Sequence, residues 1–152
     1  MKNKKILTTL FMIGGFTFSY LLWSLMRPVE IVAIHQQFDT SSILVNNFPL
    51  TDRGKINWWL NNKDILKEKY RIPQADSNES FTMIFWKFGE GYKEEGKYDR
   101  LCFDDMKTKK NCIEKDPVFS VNNSKNRGII FTVYDGTYHL KENGEIISVR
   151  DQ

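Results

Sequence analysis

Two cysteines, two histidines and a scatter of carboxylates are the side chains of this sequence with most chemistry to offer. Cys102 and Cys112 flank the polar stretch FDDMKTKKN. In an oxidising compartment such a sole pair is expected to form a disulfide, and closing its eleven-residue loop is worth about 2.8 kcal/mol in the chain-entropy treatment. A redox centre would more often use C-x-x-C, so the pair reads as a staple, with a thiol switch as the lesser alternative. His35 and His139 each lack a metal-ligating neighbour at the local spacings that signal a site, and both read as structural. A hydrolase triad would have to recruit one of them, yet the sequence has no G-x-S-x-G elbow. Asp104 and Asp105 lack the alternating oxygen ligands of a calcium loop, and adjacent on a turn they are expected to face solvent. Glu90, Glu94, Glu95 and Asp99 are balanced by Lys93, Lys97 and Arg100, the pattern of a solvated connection. Gly89-Glu90-Gly91 lacks the lysine and the strand-to-helix setting of a phosphate loop. No catalytic, cofactor or metal constellation emerges, and the expectation is a protein that is not an enzyme.

The elements that would carry these residues begin with Ile6–Met26, 21 positions without a charge. As a helix the run reaches about 31 Å, the hydrocarbon thickness of a bilayer. Lys2, Lys4 and Lys5 precede it and Arg27 follows, so the positive-inside bias makes residues 1–5 a cytoplasmic tail and residues 6–26 a transmembrane signal anchor. Residues 27–152 then form the body on the far side, and Tyr20 and Trp23 suit the interfacial aromatic belt. A cleaved signal peptide is the alternative, although Thr17-Phe18-Ser19, the nearest cleavage pattern, falls inside the apolar run. A buried core helix is the third option, opposed by the absence of a polar stripe. The first cysteine, Cys102, stands too far along for lipoprotein processing.

Beyond Arg27-Pro28, Glu30–Gln36 reads as a strand pairing with Ser42–Phe48. Thr51 or Asp52 caps a helix that runs to Tyr70 and stops before Pro73. Ile56, Trp59, Leu60, Leu66 and Tyr70 share one arc of it. Trp58 and Ile65 fall together on the opposite side, which means a helix covered on both sides, a helix that bends at Asn61-Asn62, or a small candidate partner patch. The remainder is strand-rich: Ser80–Phe88, Tyr98–Phe103, Val118–Asn122, Gly128–Tyr134, Thr137–Leu140 and Glu145–Val149, with Asp135-Gly136 and Asn143-Gly144 as tight-turn signals. Phe81, Met83 and Phe85 face one way and Ile84, Trp86 and Phe88 the other, so that strand belongs near the middle of a covered sheet. The expected fold is α+β: a single N-terminal transmembrane helix followed by a mainly antiparallel sheet with one packed helix.

The 152 residues are 41% hydrophobic, 27% charged and 14% aromatic, a balance suited to one folded domain. The 22 Lys and Arg exceed the 19 Asp and Glu only through the three lysines of the tail. A neutral body makes nucleic acid an improbable partner.

The stretches RPVEIVAIH (27–35), NFPLTDRGKINWWLNNKDILKEKYRIP (47–73), FTMIFWKFGEGYK (81–93) and YDRLCFDDMKTKKNCIEK (98–115) resemble a family of enterobacterial membrane proteins catalogued as domain of unknown function 943. The resemblance implies a small inner-membrane protein with its body in the periplasm, and it brings no functional residue. The leading expectation is a membrane-tethered periplasmic domain that binds an unidentified envelope protein, regulating a complex or acting as an immunity protein against a toxin. The alternative from another class is an envelope hydrolase or carbohydrate-binding domain using carboxylates and aromatics such as Trp58, Trp86 and Tyr92.

Overall fold

The computed structural model describes residues 2–151; Met1 and Gln152, the outer bounds of the expected tail and body, lie outside it. Helix α1 (Lys2–Leu25) comes first. Its stretch Asn3–Leu25 has a mean hydropathy of 1.6 and none of it is covered by the body, which removes the core-helix option. Thr8, Thr9 and Thr17 turn their hydroxyls back onto the carbonyls of Lys4, Lys5 and Ile13, so the helix offers hydrocarbon few unpaired polar groups.

Strands β1 (Glu30–Gln37) and β2 (Thr40–Asn46) form an antiparallel hairpin, and helix α2 (Asp52–Tyr70) follows. Thr51 caps α2 by accepting from the Gly54 N–H at 3.1 Å, and Arg71 ends it in the left-handed region at φ 57°. Strand β3 (Phe81–Lys87) then lies parallel to β2, because α2 carries the chain back across the sheet between them. Next come the short strands β4 (Arg100–Cys102) and β5 (Cys112–Glu114), which pair with each other outside the main sheet, Cys112 also bridging Lys93. Strands β6 (Pro117–Ser124), β7 (Gly128–Val133), β8 (Gly136–Leu140) and β9 (Ile146–Ser148) complete a seven-stranded sheet in the order β1-β2-β3-β6-β7-β8-β9. All of its pairings except β2–β3 are antiparallel, and the fold is α+β as expected.

Alternation along the central strands divides the core in two. Ile43, Val45, Met83 and Phe85 point to one face, where Ile56, Trp59 and Leu66 of α2 cover them. Leu44 and Trp86 point to the other, where Phe103 and Ile113 cover them from the β4–β5 hairpin. The expected strand over Tyr98–Phe103 is thus shorter than its pattern suggests, and its partner β5 lies in the segment after the polar loop. This small hairpin acts as a flap over the face that α2 leaves open, and so β3 is apolar on both sides.

Candidate functional site

Three places hold side chains whose arrangement exceeds what packing alone requires: the flap, the foot of α1 and the tip of the β1–β2 hairpin.

Cys102 and Cys112 face each other in the β4–β5 ladder with their sulfurs 2.12 Å apart, at disulfide distance. On the flap's outer side Glu114 accepts from Lys93 Nζ and Arg100 Nε, each at 3.1 Å, and Lys93 also pairs with Glu90. The hydrogen bonds from Lys93 and then Arg100 hold the Glu114 carboxyl below the usual carboxylate range, and the bond from Lys93 does the same for Glu90. Of the residues expected to form a solvated connection, Glu90, Lys93 and Arg100 thus brace the flap, with Glu90 exposed and Lys93 and Arg100 partly buried.

His35, in β1, pins the flap to the sheet. Its ring stacks on Phe103 with centroids 3.7 Å apart and is nearly buried. Asp105 places its two carboxylate oxygens 2.9 and 2.8 Å from Nδ1, and the Tyr92 hydroxyl lies 2.8 Å from Nε2. A carboxylate only accepts, so Nδ1–H donates to Asp105, which leaves Nε2 to bond the phenol. Burial, and then the charge on Asp105, raises the Tyr92 pKa, keeping the phenol protonated. Asp105 is thus half in solvent, as its turn position implies, and also the partner of a histidine with no local partner. An Asp–His pair can orient a general base, and Ser42, opposite His35 in the ladder, lines the same cavity of about 120 Å³. Both imidazole nitrogens are occupied, however, and a phenol of raised pKa is a poor nucleophile; the geometry is that of a clasp. Among the described residues no three His, Cys, Asp or Glu side chains gather as metal ligands.

Where α1 meets the body a groove of about 760 Å³ opens between Leu25, Arg27 and Val29 on one side and Trp58, Ile65 and Tyr70 of α2 on the other. It brings Trp58 and Ile65 into one wall, though with different exposure. The expected strand Ser42–Phe48 ends early at Asn46, which frees Phe48 to fold over α2. Trp58 meets Phe48 edge-on at 5.2 Å and Phe85 at 5.8 Å, and it is half-buried on the α2-side core. Ile65 is 52% exposed. The helix is covered on both sides at Trp58 and open at Ile65.

The hairpin tip was not singled out by sequence. Gln37 pairs with Thr40, leaving Phe38 and Asp39 as a two-residue turn, and Phe38 sits at φ 54° and is 87% exposed. Gln36 holds the turn by donating to the Phe38 carbonyl at 2.6 Å. Glycine is the usual occupant of a positive-φ turn position, so a bulky aromatic there was the available signal.

A family model matches residues 1–150, taking in α1, the groove, the clasp and the whole sheet. The chain belongs to that family, described as "Enterobacterial putative membrane protein (DUF943)". Domain of unknown function 943 was the resemblance expected from the sequence; its description is that of a "putative membrane protein", and this chain has one candidate N-terminal span. No curated protein and no solved structure matches the chain. That description names no residue, so the functional argument rests on geometry.

Proposed function

We propose that the protein is a single-pass inner-membrane protein whose periplasmic body acts by binding another envelope protein, without catalysis. Lys2, Lys4 and Lys5 before the apolar run support a cytoplasmic N-terminus and an uncleaved anchor. The observation that carries the binding role is Phe38. A left-handed backbone costs a non-glycine residue about 1–2 kcal/mol, and an exposed ring returns almost none of it to the fold. Eight-residue β1 also carries the tip about 26 Å from the foot of the span, clear of the membrane-proximal end. A strained, solvent-facing aromatic on a braced hairpin is suited to insert into an apolar pocket of a partner. Regulating an envelope complex and neutralising a periplasmic toxin are both roles of this design. The carbohydrate-binding alternative has less support: Trp58 and Trp86 pack within the two cores and Tyr92 is held by His35.

The test compares full-length wild type with Phe38→Gly and with Asn126→Ala, a substitution in the exposed β6–β7 turn, by crosslinking in intact cells and recovery from solubilised membranes. Phe38→Gly should leave the chain as stable as before or up to about 1 kcal/mol more stable. A specific adduct should disappear in that variant alone. Identical adducts from all three chains, or none from any, would remove Phe38 as the contact.

A further inference from the structure

We propose that the groove at the foot of α1 seats a phospholipid of the leaflet in which the span ends, its acyl chain along the apolar wall and its anionic headgroup at Arg27 and Lys69. The inference rests on α1 being a membrane span and adds a ligand to it. Four residues, Met26–Val29, separate α1 from β1, and fully extended they reach only about 14 Å. The groove therefore cannot leave the headgroup region. Its wall is continuous with the last turn of the span, through Leu25, so a lipid lying against α1 meets the body without crossing water. Leu50 is 81% exposed and Ile65 52% exposed on that wall, apolar surface at a membrane-proximal position.

Charge points the same way. Among the described residues Arg27 is the one charged side chain lining the groove, and its guanidinium lies 3.8 Å from the centre of the Trp23 ring, at the level expected for headgroups. Lys69 is the chain neighbour of the groove-lining Tyr70, with Nζ 5.1 Å from the centre of the Tyr70 ring. One cation and no acid in the lining favour an anionic headgroup over a zwitterionic one. The volume lies within the roughly 300–1,000 Å³ typical of small-molecule sites.

The full chain is reconstituted in phosphatidylethanolamine/phosphatidylglycerol vesicles with an environment-sensitive fluorophore on one introduced cysteine: Ile65→Cys, Leu50→Cys, Phe11→Cys in the span, or Asn126→Cys in the β6–β7 turn. Wild type labelled identically gives the background from the native pair. Quenchers are shallow doxyl lipids and aqueous iodide. The expected result is lipid quenching at positions 65 and 50 at least half as strong as at position 11, with position 126 quenched by iodide alone. Replacing phosphatidylglycerol by phosphatidylcholine should reduce the signal at position 65 at least twofold, and Lys69→Gln should reproduce that loss. Position 65 behaving like 126 while 11 remains lipid-quenched overturns the lipid seat and spares the anchor. Protection of 65 from both quenchers means a protein occupant and also overturns it. Loss of lipid quenching at position 11 overturns anchor and seat together.

Discussion

Trp58 and Ile65 stand two helical turns apart on α2, and spacing alone makes them equivalent. What separates them is Phe48, which leaves the sheet after β2 and packs edge-on against Trp58 without reaching Ile65. No periodicity within α2 reveals a ring arriving from another element, so the sequence shows the shared direction and not the difference in burial. Trp58→Ala should therefore cost about 3 kcal/mol by emptying the space between Phe48 and Phe85, whereas Ile65→Ala should stay within about 0.5–1 kcal/mol. Denaturant unfolding of the two variants in detergent checks this; equal losses would show that the helix is covered alike at both positions. His35 is a similar case. Its partners Tyr92 and Asp105 lie 57 and 70 residues away, out of reach of any local spacing rule, so a structural role was legible and the clasp was not.

The hairpin strands, α2 and its Thr51 cap, and the last three strands were legible because each is long enough to show a period or is bounded by a Gly turn. β4 was legible inside the longer expected strand Tyr98–Phe103, whereas β5 was not, since three residues flanked by charges show no alternation. The two-sided apolarity of β3 nevertheless announced a cover on both faces, and the flap supplies the second. Its attachment gives two predictions. If Cys102 and Cys112 are oxidised in the native compartment, intact mass after thiol blocking will show no alkylation before reduction, and Cys102→Ser with Cys112→Ser will lose up to about 2.8 kcal/mol of stability. Two freely blocked thiols in untreated protein would contradict the staple. Acid should loosen the same element. Glu114 and Glu90 bind protons less readily when folded than when unfolded, because Lys93 and Arg100 favour their charged forms. Their contribution is thus complete above the ordinary carboxylate range and is lost as pH falls through the depressed folded values. Exchange protection of the Lys93 and Cys112 amides, which bond each other's carbonyls, should fall in that acidic window. The exposed pairs should weaken further at high salt, and Glu114→Gln should remove most of the pH dependence.

At the scale of the molecule, one end of the sheet is tied to α1 by four residues while the opposite end carries the Phe38 turn. The apolar run made the span legible, and the exposed α1 agrees with it; the direction of crossing depends on charge asymmetry alone. Three lysines precede the run against Arg27 after it, and each basic residue near a span resists translocation. A body whose remaining charges balance adds no opposing bias. A reporter fused after the C-terminus should therefore be active as a periplasmic fusion and inactive as a cytoplasmic one, and protease added to spheroplasts should remove the body. Moving the bias, by Lys2→Gln, Lys4→Gln and Lys5→Gln together with added lysines after Pro28, should invert or split the population. A cytoplasmic signal from the unaltered chain, with the body protected from protease, would place both the Phe38 tip and the groove in the other compartment, and would exclude a periplasmic partner whatever the behaviour of the individual residues.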